Sequence, residues 1–191
     1  MSEVFQLAEG FRIAEGDSYI LAYPHIVSYF ASKEIFSEED FVCGSHMVYG
    51  WMPTILELFP ESPNIGLSQA AKLLSNAKLH GQLTDTELDQ LARVTNNSLV
   101  GASKLLHFVS PDNFAIWDSK IYTFLFNRKP HHYQVRLVEN YRAYHRRLRE
   151  LLADSRFPIL HASVNKAVGY EVSKLRALEL VMFQSSPMLA G

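Results

Sequence analysis

The chain has 191 residues, 48% hydrophobic and 12% aromatic, with 18 basic and 20 acidic side chains for a formal net charge of −2. That balance is long enough and apolar enough to bury a core, which excludes disorder as the resting state. One cysteine, Cys43, excludes an intrachain disulfide and a thiolate metal cluster, and no apolar run approaches the roughly 20 residues of a bilayer-crossing helix.

The N-terminal "MSEVFQLAEG" carries acids and lacks the basic flank and apolar core of a secretory signal, so a cytoplasmic protein that does not enter the membrane is expected. Residues 1–20 are where a short irregular or β segment is expected. The richest apolar run, "YILAYPHIVSYF", is interrupted by Pro24 and His25. Next, "SEEDFVCGSHMVYGWMPTILELF" predicts helix on both sides of Pro53, because a proline ends or kinks a helical turn. "SQAAKLLSNAKLHG" stops at Gly81, and "TDTELDQLARVTN" opens with Thr84 and Glu87 in capping-box spacing, so two short helices flank the 81–83 turn.

From Gln134, Leu137, Val138, Tyr141, Tyr144, Leu148, Leu151 and Leu152 fall on one face at steps of three and four, which predicts an amphipathic helix over 134–153. Val164, Val168, Val172, Leu175, Leu178 and Met182 predict a single closing helix over 162–184. No repeat, low-complexity tract or linker divides the chain. The expected fold is mainly α, a single compact multi-helix domain over residues 1–191.

Charge is uneven. Residues 120–156 hold nine Lys/Arg against three acids, leaving nine basic and seventeen acidic residues elsewhere. Arg128, Lys129, Arg142, Arg146 and Arg149, flanked by Tyr133, Tyr141 and Tyr144, are candidate contacts to a phosphate backbone. The same stretch also fits a solvated outer face, since the tyrosines share the apolar stripe.

The window from Leu99, "LVGASKLLHFVSPDNFAIWDSKIYTFL", sets Lys104 on a helix, then a Pro-Asp-Asn loop, then Asp118 at the start of another helix. As structure alone, Leu99, Ala102, Leu105, Leu106 and Val109 make a buried side with Lys104 turned to water, Asp118 caps "SKIYTFLF", and Phe114 and Trp117 are core. As chemistry, the aromatics could stack on an extruded base. A lysine amine could attack a sugar's anomeric carbon while a carboxylate stabilises the developing positive charge. A free lysine is protonated at neutral pH, so desolvation is what makes such an amine nucleophilic.

This window, over residues 99–126, resembles the catalytic region of the helix-hairpin-helix DNA glycosylase superfamily, especially its 8-oxoguanine glycosylase-like branch. In that family a glycine-containing hairpin leads into a helix bearing a lysine, and a loop then leads to an aspartate that starts the next helix. Lys104 stands where the lysine does and Asp118 where the aspartate does. Gly101 lies three residues before the lysine and Ser103 beside it, where the family has glycines four and two before. The resemblance implies base excision from DNA with lyase chemistry through Lys104 and Asp118. The alternative from the residues is a non-catalytic all-α module that binds nucleic acid or a protein partner.

Other combinations are poorer. Cys43 and His46 share a helix face without an orienting third group, and His131, His132 and His145 lack a metal-ligand spacing. The nine glycines make neither a dinucleotide nor a phosphate loop, so no metal and no cofactor are expected.

Overall fold

The structure, a computed structural model, describes residues 3–61 and 65–186. Among the described residues it holds ten α-helices, one 3-10 turn and no strand, so the protein is mainly α-helical. No helix among them is long and apolar enough to cross a membrane. The chain groups into two compact units: residues 18–114 form one, and the N-terminal segment with the chain from Ala115 onward forms the other.

The 18–114 unit contains α2 (Ser18–Ala31), α3 (Glu38–Trp51), α4 (Leu67–His80), α5 (Asp85–Val94) and α6 (Leu99–Val109). Helix α2 runs through Pro24, and its Ile20, Tyr23, Ile26 and Phe30 form the buried stripe. Helix α3 starts at a Ser37–Asp40 capping box and ends at Trp51. The helix expected beyond Pro53 does not form. Instead the irregular strip after it is held by Asn96, whose side chain accepts from Glu57 N at 2.6 Å and donates to Ile55 O at 2.8 Å. An isolated bridge pairs Leu58 with Thr95 in the same place.

Helix α4 ends at Gly81 in the left-handed conformation (φ 65°), and α5 opens at the Thr84–Glu87 capping box, both as the sequence predicts. The turn from α5 into α6 depends on Asn96 and Asn97, with φ of 54° and 47°. Asparagine tolerates this region because its short polar side chain can bond locally. Ser98 then caps α6, its Oγ accepting from Gly101 N at 3.2 Å. All four other helices of this unit pack on α6.

Gly101 is therefore the third residue of α6 and not part of the turn. Its lack of a side chain has a packing cause: a Cβ there would lie 1.8 Å from the Tyr49 hydroxyl oxygen. That hydroxyl donates to Thr95 O at 3.1 Å, locking α3 to the α5–α6 turn.

The second unit contains α1 (Glu3–Glu9), α7 (Ser119–Phe126), a 3-10 turn (Gln134–Arg136), α8 (Val138–Leu152), α9 (Phe157–Val168) and α10 (Lys174–Ser185). The N-terminal segment is helical where Val4, Phe5 and Ala8 are buried and irregular from 10 to 17, with no strand among its described residues. Helix α1 packs on α9 and α10. The single helix expected over 162–184 is two helices. Gly169 ends α9 in the left-handed region (φ 84°), Asn165 Oδ1 accepts from Val172 N at 3.0 Å, and Ser173 caps α10.

Replacing Gly101 by Ala should lower stability by about 1–3 kcal/mol through overpacking against Tyr49. Gly50 lies in α3 with open space at its Cβ position, so Gly50→Ala should be neutral or stabilise by about 0.5–1 kcal/mol. Urea unfolding of both variants checks the contrast; equal effects would show that the Tyr49 contact is not what requires glycine.

Candidate active site

Lys104 sits on a helix with almost no solvated surface. Of the eleven residues of α6, nine are buried: Leu99, Gly101, Ala102, Ser103 and the run from Leu105 to Val109. Only Val100 and Lys104, one turn apart, are partly exposed. The sequence predicts one apolar side opposite a lysine in water; the structure instead encloses both sides and leaves a narrow strip.

His107, one turn beyond Lys104 on α6, is fully buried and bonded at both ring nitrogens, Nε2 to Tyr23 Oη at 2.8 Å and Nδ1 to Phe114 O at 2.7 Å. A carbonyl only accepts, so Nδ1 carries a proton. In the neutral ring Nε2 then accepts from the tyrosine. Phe114 N and Asn113 N both bond Ser110 O, at 3.1 Å each, so the Pro-Asp-Asn loop is a compact turn.

Asp118 lies in the other unit. It is the N-cap of α7, with Oδ1 accepting from Ile121 N at 2.9 Å, and it is 9% exposed. The segment leading to it is core: Ala115, Ile116 and Trp117 are at most 1% exposed. Trp117 donates Nε1–H to Val135 O at 2.9 Å, and its ring packs on Tyr122, Tyr141 and Tyr144. Phe114 is 2% exposed. Both rings suggested for base stacking, Phe114 and Trp117, are thus packed in the core. An indole satisfied inside the core gains nothing by leaving it.

Helix α8 carries the basic face. Arg142, Arg146 and Arg149 recur at steps of four and three, which puts them on one flank, with Arg146 and Arg149 exposed and Arg142 partly so. Arg128 and Lys129, after α7, are also exposed. The Arg128 guanidinium lies over the rings of Tyr122 and Phe126 and bonds Tyr122 Oη at 3.1 Å. Other cations of the segment are matched locally: Arg147 pairs with Glu150, and Arg156 with Asp154 at 2.7 Å. Of the three tyrosines flanking the patch, Tyr141 and Tyr144 are buried and Tyr133 is 60% exposed.

Two residues of α8 matter in a way the sequence reading missed. Tyr141 donates to Ala115 O at 3.1 Å, and Ala115 N donates to His145 Nε2 at 3.4 Å. The sequence signal is only the i, i+4 spacing of two polar-tipped rings at the edge of an apolar stripe. Burial, with the Arg142 and Arg149 cations beside it, pushes the His145 pKa down to about 4. Among the described residues no three His, Cys, Asp or Glu gather as a metal site.

His145 has a consequence for acid stability. The unfolded imidazole takes up a proton near pH 6.5 and the folded one only near 4, so between those values the unfolded state binds more protons. Stability should therefore fall as pH drops from 6.5 toward 4, by on the order of 3 kcal/mol at most, and this component should level off below 4. His145→Gln should flatten that part of the stability–pH profile measured by urea unfolding; an unchanged slope would contradict a neutral buried ring. An NMR titration of the wild-type ring should give a midpoint well below 6.5.

Comparison with protein-family models, with curated proteins and with solved structures finds no match to this chain.

Proposed function

We propose that the protein is a DNA base-excision glycosylase with lyase activity, in which Lys104 is the nucleophile, Asp118 stabilises charge on the sugar, and the α8 flank holds the phosphate backbone. The observation that carries the reading is Lys104 itself. Lys104 stands on an enclosed helix between Ser103 and Leu105, both fully buried, and is itself only partly exposed. A lysine so placed is the candidate for the attacking amine.

In the reaction, the neutral amine bonds to C1′ of the deoxyribose. The C1′–N glycosidic bond breaks, and its electron pair leaves with the base, which takes up a proton. Loss of an amine proton and opening of the sugar ring then give an imine. Positive charge develops on the sugar as the bond to the base lengthens, and a carboxylate of Asp118 lowers the energy of that state more than of the bound substrate. Arg142, Arg146 and Arg149, with Arg128 and Lys129, supply backbone contacts that carry no sequence information. No cofactor enters this scheme.

A second reading, a non-catalytic all-α module that binds nucleic acid or a protein through the basic segment, is favoured by one observation. The bond from Ile121 N to Asp118 is what any helix-capping aspartate makes.

Borohydride separates the two. On a panel of oxidised, alkylated and abasic duplexes, reduction should trap a covalent protein–DNA adduct in the wild type and none in Lys104→Ala. Asp118→Asn should slow trapping by roughly 10²-fold or more while leaving DNA affinity nearly unchanged, and it should fold, because Asn caps helices as well as Asp does. Replacing Arg142 and Arg146 together should weaken binding across sequences and reduce the salt slope by about 1 for each phosphate no longer neutralised. Salt-dependent binding with neither adduct nor base release on any duplex would leave the binding module in its place.

A further inference from the structure

Helix α8 grips one residue, Ala115, at both of its backbone polar groups. Tyr141 Oη donates to Ala115 O at 3.1 Å, and Ala115 N donates to Nε2 of His145 at 3.4 Å. The two side chains are four residues apart, so one turn of α8 presents an O–H donor and an imidazole acceptor side by side. Ala115 is fully buried, which leaves its amide and carbonyl dependent on these partners. Two residues on, Trp117 makes a third tie, from Nε1 to Val135 O at 2.9 Å, with its ring centroid 5.5 Å from that of Tyr144. Asp118 follows directly, and its carboxylate then bonds Ile121 N at 2.9 Å.

The chain therefore reaches Asp118 through three residues, the backbone of the first and the side chain of the third being tied to the 135–145 segment. Little freedom remains for the carboxylate that comes next. The adjacent flank of α8 bears Arg142, Arg146 and Arg149.

We infer that Tyr141 and His145 are positioning residues for Asp118: through the backbone N–H and C=O of Ala115 they fix where its carboxylate stands relative to the arginine flank of the same helix. The inference rests on reading Asp118 as the group that stabilises the sugar cation. It assigns α8 two duties, backbone contact on one flank and carboxylate placement on the edge beside it. A rigid helix doing both sets the distance between a phosphate and the reacting sugar, which is the kind of orientation that accelerates a bound reaction. Histidine suits the acceptor position because its Nε2 presents a lone pair when the ring is neutral, and burial beside two arginines keeps it neutral.

The test uses the full chain in three variants, His145→Ala, His145→Gln and Tyr141→Phe, with two readouts. The first is hydrogen exchange of the Ala115 and Ile121 amides by NMR, which needs no activity. In His145→Ala both amides should exchange about tenfold faster or more, Ala115 because its acceptor is gone and Ile121 because Asp118 no longer holds still. In His145→Gln, whose side-chain oxygen can accept, both should return toward wild type. The second is single-turnover borohydride trapping on an abasic duplex, where His145→Ala should lose about tenfold or more in rate with DNA affinity unchanged, and Gln should recover most of it. Fast exchange at Ala115 with Ile121 still protected would overturn the proposal, since the grip would then end short of Asp118. So would a Gln variant that restores exchange but not trapping. If wild-type protein traps on no duplex, the enzyme reading fails, while the Ala115–Ile121 comparison still decides the positioning. Should His145→Ala fail to fold, Tyr141→Phe removes only the hydroxyl that bonds Ala115 O, and it must still speed exchange of the Ile121 amide although the Ala115 amide keeps its His145 acceptor.

Discussion

The enclosure of α6 governs the 18–114 unit. Every other helix of that unit lies against it, so its backbone cannot shift without disturbing all of them. The close approach is possible because Gly101 presents no side chain to Tyr49, and burial pushes the Tyr49 phenol up to about 12. The polar groups on α6 are satisfied from within: Ser103 Oγ donates back to Val100 O at 2.9 Å, and His107 bonds on both sides. What remains is the strip of Val100 and Lys104. A lysine there stands on a backbone held by its neighbours and is only partly exposed.

The second unit solves a different problem, placing charged groups in a mostly apolar interior. Arg176 and Glu179 on α10 are 4% and 2% exposed and pair with each other within one turn, so neither charge is buried alone. Tyr144 packs nearby, its phenol held well above the usual range by burial and by the negative charges of Glu179 and Asp118. Asp118 is 9% exposed, and its side chain accepts from the Ile121 amide.

Legibility followed how local the cause was. The Thr84–Glu87 capping box, the Gly81 stop and the Asp118 cap each depend on residues within a turn, and each is readable from spacing. The Gly169 break is not, because Val168, Val172 and Leu175 keep helical steps across a loop that Asn165 rather than the helix ladder closes. The strip beyond Pro53 misleads for a similar reason: its apolar residues suit a helix, but its backbone is claimed by Asn96, about forty residues away. Burial is the least readable property of the site. Phe114 and Trp117 flank a loop, yet Trp117 is enclosed by rings from α7 and α8 that sequence distance conceals. Tyr141 and His145 read as part of an apolar stripe and an unplaced histidine, because the Ala115 backbone between them comes from 26 and 30 residues earlier in the chain.

If the amine of Lys104 makes the bond to the sugar, that amine must carry the sugar remnant after reduction. Reduced adduct from wild-type protein and an abasic duplex, digested with nuclease and protease, can be mapped by tandem mass spectrometry. The remnant is expected on Nζ of Lys104, within the peptide that holds Ser103 and Leu105. A remnant on Lys120, on Lys129 or on the N-terminal amine would contradict this, because the chemistry would then belong to an amine outside the enclosed helix.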